Sequence, residues 1–220
     1  MLEIQTWVLG PVATNTYLVG DREDKQAVII DPAWDGTRLA SEVKAGGWQV
    51  KAIWLTHAHF DHFAGLADLL EGLGPELPED FFVGMHPKDT PLWKVRGGAI
   101  MFGIQVKKAP KPEHEFQEGE QLQVGKYQFL VHHAPGHSSG HVIFHCPEEK
   151  VLFSGDLIFK QGLGRTDLPG GDGGLLKDSI KRISHLEVDY LLPGHGDIIS
   201  GRDRVNSNFN DVERTWFGYL

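Results

Sequence analysis

The chain carries a single cysteine, Cys146, in 220 residues. That excludes an internal disulfide framework and makes a reducing compartment, the cytoplasm, the expected setting. No Lys/Arg-rich block is present, and 21 basic against 30 acidic residues leave a formal charge of −9. Neither nucleic acid nor an anionic membrane surface is an expected partner for such a chain. No uninterrupted apolar stretch reaches membrane-spanning length. The start, Met1-Leu2-Glu3-Ile4-Gln5, offers neither the basic residues nor the apolar core of a signal peptide. Short-period repeats, low-complexity segments and linkers are also absent, so a single domain over residues 1–220 is the economical expectation.

What is present is ordinary in bulk, with 40% hydrophobic and 23% charged residues, enough for a sizeable core. Strand-like runs at residues 2–9, 16–19 and 27–30 are followed by a helix over 35–45, with Asp35 as its cap and Gly46-Gly47 as its stop. A strand over 50–55, a helix over 63–70 ending at Gly72, and a short strand over 81–83 come next. Residues 97–119, with Gly97-Gly98 and a Pro/Lys cluster, read as loop. Strands are expected again at 127–133, 141–144, 150–153 and 188–192, with a helix over 175–185. The pattern is α/β, with strands in two groups, each interleaved with helices.

The unusual figure is 12 histidines, and their placement matters more than their number. Four segments end a hydrophobic run in a metal-competent side chain: Thr56-His57-Ala58-His59-Phe60-Asp61-His62, Pro135-Gly136-His137, Ser154-Gly155-Asp156 and Pro193-Gly194-His195. Rigid α/β scaffolds present functional groups on loops at strand ends. Imidazole with carboxylate suits zinc first, and iron or manganese next, rather than calcium or a copper thiolate site. Seven such groups exceed what one tetrahedral ion requires and match two ions sharing a bridging carboxylate and a water. His57 and His59, two apart after a strand, can point the same way, while Asp61 and His62 are offset toward a second position. Glycine before each later ligand permits unusual backbone angles and close packing. His86, His114, His132, His133, His145 and His185 read as solvated or hydrogen-bonded residues, and His141 as a structural support near the site. Thr56, Ser154 and Asp31 are candidates for orienting the ligands or for capping turns.

These motifs, together with Asn15-Thr16-Tyr17, Ile30-Asp31-Pro32, His137-Ser138-Ser139-Gly140-His141, Gly164-Arg165-Thr166-Asp167 and Pro193-Gly194-His195-Gly196, resemble the metallo-β-lactamase superfamily. Within it the chain looks like the glyoxalase II-type thioester hydrolases. The resemblance implies a four-layer αβ/βα sandwich of two mixed sheets flanked by helices, with the site at one edge. It implies one ion on His57, His59 and His137, the other on Asp61, His62 and His195, and Asp156 bridging them. Asp61 would also accept a proton from the attacking water. The implied substrate is a small molecule such as a glutathione conjugate, for which Arg165 is either a contact or one half of an ion pair with a neighbouring acid. The helical C-terminal extension that holds glutathione in that family is reduced here to a stub over residues 197–220, and Trp216, Phe217 and Tyr219 are expected to dock on the same chain. Oligomeric state is not written in the sequence.

The rival is a mononuclear iron persulfide dioxygenase acting on glutathione persulfide, which the same motifs also resemble. His57, His59 and Asp156 would suit its iron. A secreted β-lactamase is disfavoured by the missing signal peptide, a superfamily nuclease by the missing basic arm, and a degenerate scaffold by the intact ligand set.

Overall fold

The computed structural model describes residues 1–220, the side chain of Glu76 excepted. Its first sheet runs in chain order through β1 (Leu2–Leu9), β2 (Thr14–Asp21), β3 (Gln26–Ile30), β4 (Gln49–Trp54), β5 (Phe82–Met85) and β6 (His114–Glu115). The first three strands pair antiparallel, and β3 to β6 pair parallel. The second sheet begins with the antiparallel series β7 (Gln121–Val124), β8 (Tyr127–His133), β9 (Val142–Cys146) and β10 (Val151–Gly155). A small hairpin, β11 (Ile158–Phe159) and β12 (Gly162–Leu163), leaves it, and β13 (Tyr190–Pro193) returns parallel to β10 with β14 (Ile199–Ser200) on its far side. Helices α1 (Gly36–Ala45) and α2 (Leu66–Leu73) cover the first sheet. A short helix, α3 (Thr90–Lys94), comes after β5, and α4 (Gly173–Ile183) and α5 (Arg202–Trp216) cover the second sheet.

Side-chain alternation explains the layering. In β3, Ala27 and Ile29 face α1 and α2, whereas Val28 and Ile30 face the other sheet. In β10, Val151 and Phe153 enter the inter-sheet core and Leu152 faces α4. The register of β3 on β4 shifts after Ala27, which pairs with Val50, while Val28 pairs with Ala52. This bulge lets Val50 and Ala52 face opposite sides although they are two residues apart. Between the sheets, Trp54 packs edge-on to Phe129 and tilted against Phe144, with ring centroids 5.4 and 5.0 Å apart. Cys146 is a free thiol buried in the same layer. The four-layer αβ/βα sandwich of two mixed sheets is thus present. Among the described residues, no helix is long and apolar enough to cross a membrane.

Several local expectations need correction. Asp35 does not cap α1: it sits in the left-handed region at φ 50° and its side chain makes no cap bond. The next residue, Gly36, must lack a side chain, since a Cβ there would lie 2.0 Å from the Gly65 carbonyl where α1 crosses the start of α2. The second helix begins later than residue 63 and runs past Gly72 to Leu73, because Phe60–His62 forms a separate 3-10 turn. Residues 97–119 are not wholly loop: Arg96–Phe102 forms 3-10 turns and β6 adds an edge strand. Residues 202–216 form a long helix of 15 residues, with Val205, Phe209 and Val212 buried at i, i+4 and i+7 beneath a surface of Asn, Asp and Arg. Phe217 packs on that cluster and the Trp216 indole donates to the Gln161 carbonyl at 2.9 Å, whereas Tyr219 remains 85% exposed.

Truncating a ring between the sheets should leave a cavity that neither sheet can close. Phe129→Ala is expected to lower unfolding free energy by about 3–5 kcal/mol, measured by urea denaturation, with the secondary-structure signal retained.

Candidate metal centre

Parallel strands end on the same edge, so the residues just past the end of each strand are brought together. Asp31 comes directly after β3, His57 after β4 across a Leu55-Thr56 step, and Asp89 after β5 across a short turn. In the second sheet Asp156 stands directly after β10, and His195 stands two residues beyond the parallel strand β13, across Gly194. His137 lies in the turn joining β8 to β9. The edges are stitched by backbone bonds from Val142 N–H to Thr56 O at 2.8 Å, from Asn15 N–H to Gly194 O at 2.7 Å and from Gly194 N–H to Gly155 O at 2.7 Å.

All seven expected ligands meet there. His137 Nε2 lies 2.7 Å from His59 Nδ1 and 3.1 Å from His57 Nε2, so three ring nitrogens face one point. A second group forms beside it, with Asp61 Oδ2 at 3.2 Å from His195 Nε2 and 3.5 Å from His62 Nε2. Asp156 lies between the groups: its carboxylate oxygens are 3.4 Å from His137 Nε2, 3.3 Å from His62 Nε2 and 3.5 Å from His195 Nε2. The donor atoms within each trio lie within 4.8 Å of one another. Gly194 makes this crowding feasible, since a Cβ there would stand 2.2 Å from Asp156 Oδ1.

The electrostatics separate the two groups. Burial, reinforced by neighbouring imidazoles, holds His57 well below the usual histidine range and His59 down to about 3. These rings therefore present lone pairs at neutral pH. Burial also resists charge on His62 and His195, but the carboxylates of Asp156 and Asp61 outweigh it, lifting His62 well above its usual range and His195 to about 10. Asp61 is held at about 2, because His62 and His195 outweigh the burial that disfavours its charge. His59 Nε2, His62 Nε2 and Asp156 Oδ1 are buried with no well-aligned hydrogen-bond partner, and converging nitrogens at 2.7–3.1 Å cannot all be satisfied by shared protons. Cations fit such an arrangement. The His/Asp groups are suited to binding two metal ions.

Four of the five ligand rings have an orienting partner on their outer nitrogen, and His59, whose Nε2 is buried without one, is the exception. Asp31 accepts from Thr56 N–H at 2.8 Å and Thr56 Oγ1 at 2.7 Å and faces His62 Nδ1 at 2.9 Å. Thr56 Oγ1 also meets His57 Nδ1 at 3.0 Å. His137 Nδ1 meets the Arg165 carbonyl at 2.8 Å, and His195 Nδ1 meets the Val12 carbonyl at 3.2 Å. His141 accepts the Asp156 backbone N–H at 3.0 Å, which is the supporting role expected of it. Ser154 instead donates to the Ile158 carbonyl and closes a turn. Arg165 lines the cleft above the cluster and is clasped by both carboxylate oxygens of Asp167 at 2.6 Å. The remaining histidines lie apart: His86 stacks on His133, His132 packs near His145, His114 meets Glu120 and His185 is exposed.

Two contributors, Thr14 and Asp89, are not evident from the sequence, and a third, Asn15, stands there only within a family motif, without a role. Thr14 donates to Asp61 Oδ2 at 3.1 Å, and Asn15 donates to the carbonyls of Pro193 and Gly196 on either side of His195. Asp89 is 1% exposed and accepts from Ala58 N–H, Ser138 Oγ and Gly140 N–H at 2.6–2.9 Å, tying the His57–His62 run to the His137 turn. Its only sequence signal is its place after a strand, which is informative once β5 is known to lie beside β4.

Comparison with known proteins is decisive about kinship. A family model for the metallo-beta-lactamase superfamily matches residues 9–195. The chain belongs to that superfamily. It is 35% identical over 88% of its length to the hydroxyacylglutathione hydrolase GloC of Haemophilus influenzae, covering 91% of that protein. Its fold matches the crystal structure of TTHA1623 in a di-iron-bound form with a TM-score of 0.80 and 38% identity, covering 98% of this chain and 100% of the other. It also matches the B3 metallo-beta-lactamase BLEG-1 with a TM-score of 0.80 and 35% identity, over 90% of this chain and 94% of that one. The metal-dependent hydrolases are thus the coarse functional class of its relatives.

Two outcomes are expected here. Asp156→Ala should remove both ions together from protein purified without added metal, measured by elemental analysis. Loss of one ion alone would argue against a shared carboxylate. Asp89→Ala, which strands three buried donors, should lower unfolding free energy by on the order of 3 kcal/mol in chemical denaturation.

Proposed function

We propose that this chain is a two-metal hydrolase that cleaves thioesters of a small thiol such as glutathione. The observation that carries this reading is the position of Asp156 between two complete trios, His57/His59/His137 and Asp61/His62/His195. Zinc suits the donor types best, and iron or manganese would also be accepted. When bound, two such ions lower the pKa of a shared water and polarise a carbonyl.

The chain's own residues do the rest. Asp61 lines the cleft, is held ionised, and has one oxygen fixed by the Thr14 hydroxyl, so its carboxylate can take a proton from an attacking water. Asp31, Thr56 and the carbonyls of Arg165 and Val12 set the ring orientations, so that little reorganisation is needed as charge develops. The cleft, about 360 Å³, is of a size that takes a small molecule. Arg165 stands on its wall, and of the two roles expected for it the geometry favours the ion pair, with Asp167 at 2.6 Å. Kinship to GloC favours a glutathione thioester among possible substrates. The single buried cysteine is compatible with a cytoplasmic setting.

The test is hydrolysis of S-lactoylglutathione by metal-loaded protein, with nitrocefin hydrolysis and oxygen uptake on glutathione persulfide run in parallel. Thiol release above the metal blank, with two ions per chain, is the expected result. Oxygen uptake with one iron per chain would replace this reading with the dioxygenase, and nitrocefin turnover alone would replace it with a lactamase. Asp61→Asn is expected to lower kcat by roughly 10²-fold or more.

A further inference from the structure

The walls of the cleft are more apolar than the chemistry at its floor requires. Phe60, Phe102, Ile104, Phe159, Leu163 and Leu168 line it, and apart from the ligand cluster its one polar side chain among the described residues is Arg165. That guanidinium is already neutralised by two 2.6 Å bonds to Asp167. Glutathione carries two carboxylates and an ammonium, so walls that offer one paired cation above the metal-competent floor have little with which to hold them.

The apolar wall is built rather than incidental. Arg96, Gly97, Gly98 and Gly103 all take left-handed angles, with φ of 53, 62, 75 and 68°, on either side of the turn that carries Phe102. A Cβ on Gly97 would lie 2.2 Å from Phe60 N and 2.6 Å from Ala58 O, so the turn presses directly on the segment bearing His57 and His59. This contact holds the Phe102 ring 5.4 Å from that of Phe60. Phe102 stays 46% exposed even with Phe60 against it, leaving apolar ring surface open on the cleft wall.

We infer that the cleft selects its substrate through the acyl half, and that this half is a bulky apolar group, a medium-length alkyl or an aryl carbonyl. The charged thiol half lies outside the cleft. This inference rests on the thioester reading and adds to it the part of the substrate that is recognised.

A series of S-acetyl, S-butyryl, S-hexanoyl and S-benzoyl thioesters, each on glutathione and on uncharged N-acetylcysteamine, tests it with the metal-loaded full chain. The value of kcat/KM is expected to rise by up to about fourfold per added methylene until the cleft is full, on either carrier. Phe102→Ala and Leu163→Ala should each reduce the hexanoyl-to-acetyl ratio by roughly tenfold. A flat or falling series, or a preference for glutathione over N-acetylcysteamine above tenfold at every acyl length, would overturn the inference. Calorimetric binding of the uncleavable thioethers S-hexyl- and S-methyl-N-acetylcysteamine separates it from the thioester reading. Tighter binding of the hexyl compound, lost in Phe102→Ala, sustains the apolar site even if no thioester is cleaved, and equal binding of the two overturns it.

Discussion

Placing seven imidazole and carboxylate groups against one another away from water is strongly unfavourable unless every one is oriented and compensated, and the surroundings of the cluster are arranged around that requirement. Asp156 carries the greatest share of it. Its carboxylate faces His137, His62 and His195 at once, and its own backbone N–H is held by His141. Asp31 serves the same end on the other side by joining Thr56 and His62, and Thr56 passes the constraint to His57. What remains uncompensated, chiefly converging nitrogens and one oxygen of Asp156, is the part that cations satisfy.

That arrangement depends on the sandwich. Aromatic packing of Trp54, Phe129, Phe144 and Phe153 fixes the separation of the sheets, and the parallel pairs β3/β4/β5 and β10/β13 deliver their ends to one edge. Asp89 and Asn15 then lock loop to loop with hydrogen bonds to backbone groups, so the ligand positions are set by main-chain geometry as much as by side-chain choice. The cleft above is bounded by segments that belong to neither sheet, the turn at Arg96–Phe102 and the hairpin β11/β12. Apart from Phe60, which belongs to the His57–His62 run, the apolar wall and the His/Asp floor of the cleft are therefore built from different parts of the chain.

The chain by itself determined the candidate ligand residues and the α/β alternation of strands and helices, because both are written as local patterns, whereas the sandwich followed from the family resemblance. A hydrophobic run that ends in glycine and a metal-competent group is visible in three places, and the His57–His62 run at the end of a fourth has no packing rationale. Alternation and helical periodicity likewise carry over directly into strands and helices. Less was legible where identity depends on a partner far away in sequence. Asp35 looked like a side-chain cap, but at the crossing of α1 over α2 it sits in the left-handed region and its side chain makes no cap bond. Helix α5 was not read from the sequence, since its Asn- and Asp-rich surface masks a stripe of only three buried apolar residues. Asp89 had no local signature at all, since its three donors come from two loops that only the neighbouring strands bring together. Local chemistry and periodicity are short-range and survive in the sequence. The joining of loops and the apolar wall are set by contacts between distant segments, and only the tertiary structure decided those.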